Sequence, residues 1–84
     1  MGEIILKSKR PVKLRGIVIP IEWDSEGNVL AVALSSFDEI NYMVETNPND
    51  MEFLNYLQKE VEVTGIIGVK DGQKTILAHS FLSL

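Results

Sequence analysis

The stretch Glu60–Leu77, EVEVTGIIGVKDGQKTIL, decides how this chain folds. Val61 and Val63 share one parity, and Glu60, Glu62 and Thr64 share the other. That alternation marks a strand with one buried face. Gly65 then interrupts it. Ile67 and Val69 continue the apolar parity, while Ile66 makes the second face apolar as well. Asp71-Gly72 follows and is the strongest two-residue hairpin signal in the chain, because both central positions of a type I′ turn need positive φ. Residues 74–84, KTILAHSFLSL, return as the next strand. Ile76 and Ala78 face inward there, and Phe81 or Leu82 takes over after an irregularity near Ser80. A flat sheet has no use for a glycine where a strand changes character. A small closed barrel does, because its long strands bend from one set of neighbours to another.

The same device recurs at residues 11–23, PVKLRGIVIPIEW. Val12 and Leu14 alternate with Lys13 and Arg15. Beyond Gly16, the residues Ile17, Val18, Ile19 and Ile21 make both faces apolar. Pro20 cannot donate a ladder hydrogen bond, so it belongs at an edge or a bulge. Asp24–Asn28, DSEGN, reads as a turn. Residues 28–37, NVLAVALSSF, form the second strand, with a large apolar face (Leu30, Val32, Leu34) and a face of mostly small residues (Val29, Ala31, Ala33, Ser35). Residues 39–45, EINYMVE, form the third, with Ile40, Tyr42 and Val44 inward and Asn41, Met43 and Glu45 outward.

Between the third and fourth strands the period changes. In TNPNDMEFLNYLQK, Asn47 suits an N-cap, Pro48 the first helical position and Asp50 the first turn. Met51, Leu54 and Leu57 recur at three-residue spacing, and Phe53 stands four residues before Leu57. The pattern predicts an α-helix over residues 48–57 that covers the open end of the barrel.

The totals fit one small domain over residues 1–84, mainly β, with residues 1–10 a flexible segment or an extended lead into the first strand. There are no cysteines and one histidine, so a thiolate metal site is excluded and no metal or other cofactor is expected. Ile4, Ile5 and Leu6 make too short an apolar run for a secretory signal, and no stretch has membrane-spanning length. A cytoplasmic location with no membrane partner is the expectation. Charge is uneven. Residues 1–15 carry five cations against Glu3, a net +4, while residues 16–63 carry ten acids against Lys59, a net −9.

The strand order, the segment PNDMEFLNYL and the run VEVTGIIGVKDGQKTILAHSF resemble the OB-fold. This is the five-stranded Greek-key barrel, closed or partly open, that binds oligonucleotides and oligosaccharides. The closing hairpin is similar to that of stand-alone bacterial OB domains of the anticodon-binding-like type. The resemblance implies a ligand crossing the second and third strands, between the loops after the first and fourth strands. That face would present Ala31, Ala33, Ser35, Asn41, Met43 and Glu45.

Catalytic groupings are sparse. His79 has Ser80 beside it, but adjacent strand residues point to opposite faces. Glu60 and Glu62 lie on one strand face with no substrate platform beside them. The reading is a non-catalytic binding module, and two ligand classes suit it. The first is single-stranded nucleic acid, bound weakly, with Lys13, Arg15 and Lys70 meeting phosphates and Trp23 stacking a base unless the indole packs at the barrel rim. The alternative is a protein or small ligand, received by an acidic groove and the small, flat Ala31/Ala33 face beside Asn41 and Met43.

Overall fold

A computed structural model of the chain describes residues 4–46 and 52–84. Its strands are β1 (Ile5–Leu6), β2 (Val12–Trp23), β3 (Val29–Ser36), β4 (Asn41–Glu45), β5 (Glu60–Lys70) and β6 (Gln73–Ser83). The five long strands follow in the order β5-β2-β3-β4-β6, and β6 pairs back to β5. The result is a small closed five-stranded barrel. Its β4–β6 contact is parallel, and the other pairings are antiparallel. This arrangement is compatible with an OB-like fold.

Closure depends on two strands that serve two neighbours each. β2 pairs with β5 from Val12 to Ile17 and with β3 from Gly16 to Trp23. Gly16 is therefore flanked on both edges, by Val61 and by Ser36. Gly65 is flanked in the same way by Val12 and Ala78. A Cβ on Gly16 would run into the carbonyl group of Ser35, and one on Gly65 into that of Leu77. Both glycines thus stand where backbones approach too closely for a side chain, as their positions in the sequence imply.

The irregularity in the last strand lies one residue earlier than expected. Thr64 pairs with Ser80 and Gly65 with Ala78, so His79 is the extra residue. The slip returns Phe81 to the interior and leaves Leu82 exposed. Asp71 and Gly72 both adopt positive φ, 52° and 78°, as the hairpin signal requires.

The interior follows the sequence parity. Val18, Val32, Leu34, Val61, Val63 and Ile76 are fully buried, and Tyr42 is only 7% exposed. Ile40, Val44, Ile67 and Ala78 pack against this core. Leu30 departs from its apolar face and is exposed near the β2–β3 turn.

The expected α-helix is not what covers the barrel. Among the described residues the connection is a short 3-10 helix, Glu52–Tyr56. The Asn47, Pro48, Asp50 and Met51 parts of the helical expectation lie outside the described residues. Two physical reasons favour the tighter turn. Phe53 and Tyr56 are three residues apart, so a 3-10 helix, in which residues i and i+3 eclipse, turns both rings to the core. The chain is also stopped at once by β2. Leu57 bridges Val18, Gln58 N donates to Val18 O at 2.7 Å, and Val18 N donates to Lys59 O at 3.3 Å. Phe53 enters the core, and Tyr56 stacks on Phe81 with ring centroids 5.4 Å apart.

The leading segment is extended in part. β1 continues the β5 edge beyond β2, with Leu6 opposite Gly68 and Ile5 opposite Val69. Ser8 pins it: Ile67 N donates to Ser8 Oγ at 3.0 Å, while Lys7 N and Ser8 N both donate to Ile67 O.

Candidate functional site

Strand registers line up one row of residues across the outside of the barrel. Leu6 lies opposite Gly68, Gly68 opposite Thr75, Thr75 opposite Met43, Met43 opposite Ala33, and Ala33 opposite Ile19. Their chain neighbours Val18, Val32, Leu34, Tyr42 and Ile76 point into the core, so alternation places the row outside. Small residues at Thr75 and Ala33 leave a depression between larger ones, while the space over Gly68 is taken by Ile4 and the β1 backbone. Ala33 is 4% exposed although it faces outward, because larger neighbours rise around it.

Two shallow, half-open clefts occupy that depression. One, of about 330 Å³, is lined by Ile19, Ile21, Ala33 and Met43, with Asn41, Gln73 and Lys74 at its margin. The other, of about 230 Å³, is lined by Ala31, Met43, Gln73 and Thr75 together with Glu22, Glu45, Lys70 and Asp71. Met43 and Gln73 border both, so the clefts form one groove with an apolar half and a charged half. The groove crosses β3 and β4 and ends at the β5–β6 turn.

A bulge shapes the β2 wall. Pro20 lies opposite Val32, but Glu22 lies opposite Ala31 and Trp23 opposite Val29. The register steps past Ile21 and then past Leu30. Pro20 has no N–H to offer at this point, which suits a break in the ladder. The slip puts Glu22 on the groove face beside Ala31.

The charged half of the groove carries three carboxylates, Glu22, Glu45 and Asp71, and one cation, Lys70. Lys70 Nζ donates to Glu45 Oε1 at 2.8 Å. Their side chains are 34% and 31% exposed, so water screens the pair. The hydrogen bond and charge of Glu45 raise the Lys70 pKa above its usual value. With Lys70 matched to Glu45, the carboxylates of Glu22 and Asp71 face this half without a comparable basic partner in its lining. Lys74 belongs to the apolar half.

Of the residues singled out from sequence, Ala31, Ala33, Asn41, Met43 and Lys70 converge on the groove. Lys13 and Arg15 do not. They precede the bend at Gly16, on the part of β2 that faces Thr64 and Glu62 of β5. Arg15 Nε donates to Glu62 Oε2 at 3.0 Å, so one carboxylate of the Glu60/Glu62 pair is bound in a surface ion pair. Trp23 is 54% exposed beside the Asp24–Asn28 turn, so its indole is not packed away at the rim. Tyr42 is buried and offers no ring to the groove. Glu22 and Glu45 are among the acids expected around the groove, whereas sequence reading missed Ile19, Ile21, Asp71, Gln73, Lys74 and Thr75. Pro20 signalled the bulge that places Ile21 and Glu22, and the Asp71-Gly72 turn fixes where Gln73, Lys74 and Thr75 emerge.

The remaining perturbed groups serve turns. Asp24 takes hydrogen bonds from Asn28 Nδ2, Asn28 N and Glu26 N at 2.8–3.0 Å, which lower its pKa. Asp38 is lowered by Ser36 and by the amide of Ile40. Burial, with a contribution from Asp38, raises the Tyr42 pKa. His79 is exposed at the β6 bulge. Among the described residues, no group of three or more His, Cys, Asp or Glu side chains is placed to hold a metal ion, and no helix is long and apolar enough to cross a membrane.

No protein-family model matches this chain, and no curated protein or solved structure matches it either.

Proposed function

We propose that this protein is a non-catalytic binding module of the OB type whose outer groove receives a protein segment carrying apolar and basic side chains. The supporting observation is the pairing of an apolar cleft with a carboxylate-lined one around Met43. An apolar side chain would enter between Ile19, Ile21, Ala33 and Met43, and a neighbouring Lys or Arg would meet Glu22 and Asp71. The clefts sit at or below the low end of the roughly 300–1,000 Å³ range of small-molecule pockets, and both are half open. That shape suits side chains of a polypeptide better than an enclosed small ligand. The OB assignment is supported by the closed strand order and the parallel β4–β6 contact.

Single-stranded nucleic acid is the second reading. The exposure of Trp23 favours it, since an aromatic face supplies roughly 1–3 kcal/mol per stacked base. Against it, Lys70 is engaged by Glu45, Arg15 by Glu62, and Lys13 lies six residues before Ile19, roughly 20 Å along an extended strand. The remaining groove carboxylates would repel phosphates.

Titrations followed by the single tryptophan's fluorescence separate the two readings. The expected result is saturable binding of apolar–basic peptides and no binding of a mixed oligonucleotide at low salt. Tighter binding of the oligonucleotide, with strong salt dependence, would reverse the order.

A further inference from the structure

We infer that the groove's partner is a second copy of this chain, whose β1 segment Ile4–Arg10 docks across it in a reciprocal dimer. The inference rests on the peptide-binding reading above and names its occupant.

Three observations carry it. First, β1 is an apolar strand left uncovered. Ile4 is half-buried with its side chain over Gly68, but Ile5 is 59% and Leu6 52% exposed, and they point to opposite faces. Among the described residues its outer edge is unpaired, because β1 ends the sheet order. A strand of this kind invites association unless something covers it.

Second, charge and order are complementary. Ile5 and Leu6 are followed by the exposed cations Lys7, Lys9 and Arg10. The groove sets its apolar cleft, with Lys74 at the margin, beside one in which Glu22 and Asp71 are the carboxylates left over once Lys70 pairs with Glu45. Apolar-then-basic therefore meets apolar-then-acidic, an arrangement that favours this register and opposes others.

Third, arm and groove share one surface. Leu6 begins the same outer row that passes through Gly68 and Thr75 to Met43. A two-fold axis running between two such faces would lay each arm over the partner's groove, making the contact isologous and closed. Docking needs no unfolding, since the Ser8–Ile67 hydrogen bonds keep the arm's backbone on its own barrel while the Ile5, Leu6, Lys7, Lys9 and Arg10 side chains stay exposed.

Sedimentation of the full chain from about 1 to about 500 µM, at roughly 50 mM and roughly 500 mM salt, tests this. The expected result is a monomer–dimer equilibrium weakened several-fold by salt. Reversing the arm (Lys7→Glu, Lys9→Glu, Arg10→Glu) should abolish dimers, and so should altering the groove (Glu22→Lys, Asp71→Asn). Mixing the two altered chains should restore a one-to-one dimer, because each arm then meets a groove of opposite sign. Circular dichroism on each variant confirms that it remains folded.

A chain monomeric throughout this range, or a dimer indifferent to both alterations, would overturn the inference. A set of unrelated apolar–basic peptides keeps the two levels apart. Peptide binding by a strictly monomeric chain would remove the second copy and keep the groove reading. Absence of both dimer and peptide binding would remove both.

Discussion

Gly16 of β2 lies directly against the Ser35 carbonyl of β3, with no space between them for a side-chain carbon. A Cβ there would stand 2.8 Å from both the Ser35 carbonyl carbon and the Ser36 Cα, and backbone cannot move aside as a flexible side chain can. Gly16→Ala should therefore cost about 3 kcal/mol or more, at or above the upper end of overpacking penalties. Gly65→Ala should behave alike against Leu77. Gly27→Ala is the control. Nothing lies within 4 Å of its added Cβ, but its φ of +87° strains any L side chain. It should cost only about 1–2 kcal/mol. Urea denaturation read by Trp23 fluorescence ranks the three. Equal losses at Gly16 and Gly27 would mean that close strand approach is not what Gly16 provides.

Phe53 should matter far more than the helical propensity of its segment. It is buried in the core cluster, whereas Asn55 of the same short turn is exposed. Phe53→Ala should cost about 3–5 kcal/mol through lost burial and the cavity left behind. Asn55→Ala, which would stabilise an exposed α-helical position, should change stability by less than about 0.5 kcal/mol here. Thermal unfolding of both variants checks this. A clear gain from Asn55→Ala would indicate that the segment populates an α-helix.

These two cases show which parts of the fold the sequence makes legible. Gly16 and Gly65 are readable because each sits where one-faced alternation becomes two-faced. Asp71-Gly72 is readable because positive φ is chemically demanding at both positions. Tyr42 and Met43 fall on the expected faces because strand parity is strict. The segment after β4 misleads because a three-residue apolar spacing fits two helix types, and the choice is made by β2 at Val18, far away in sequence. The site is only half legible for the same reason. Ala31, Ala33, Asn41 and Met43 follow from parity. The Lys70–Glu45 pair depends on β4 lying parallel to β6, and the entry of Glu22 depends on a bulge whose register Pro20 hints at but does not fix. Arg15 looks like a free cation until β5 brings Glu62 beside it.

Acid stability should depend on the β2–β3 and β3–β4 turns. Asp24 and Asp38 have pKa values lowered below their ordinary 3.8 in the folded protein. A carboxyl of this kind contributes stability that is present above the unfolded pKa and lost as pH falls through the folded one. The denaturation midpoint should thus drop on acidification from about pH 4 downward. Asp24→Ala should lower the midpoint at neutral pH and flatten that acid limb. A limb of unchanged steepness in the variant would show that the Asn28 and Glu26 hydrogen bonds to Asp24 do not carry the effect.

At the alkaline end the sign is opposite. Glu45 raises the Lys70 pKa above 10.5, so this pair's contribution is fully present below 10.5 and fades as pH rises through the higher folded value. Glu45→Gln should remove the part of the alkaline slope due to Lys70 and alter neutral stability little, because both side chains are partly exposed. An unchanged alkaline slope above the ordinary lysine pKa of 10.5 in the variant would dissociate Lys70 from Glu45.

Binding by the groove should follow Met43 and be indifferent to Lys13 and Arg15. Met43 borders both clefts, so Met43→Ala removes apolar contact common to both and should weaken an apolar–basic peptide about tenfold. Glu22→Gln should weaken it less and reduce its salt dependence. Lys13→Ala and Arg15→Ala leave the groove untouched, since these residues face Thr64 and Glu62 before the Gly16 bend. A nucleic-acid interface would respond the other way. Each cation removed would lower the salt slope by about one and weaken binding across all sequences. Fluorescence titration of these four variants, with a peptide and with an oligonucleotide, therefore reads out the ligand class and its location together. Loss of binding in Arg15→Ala with no effect of Met43→Ala would move the interface off the groove and onto the β2–β5 face.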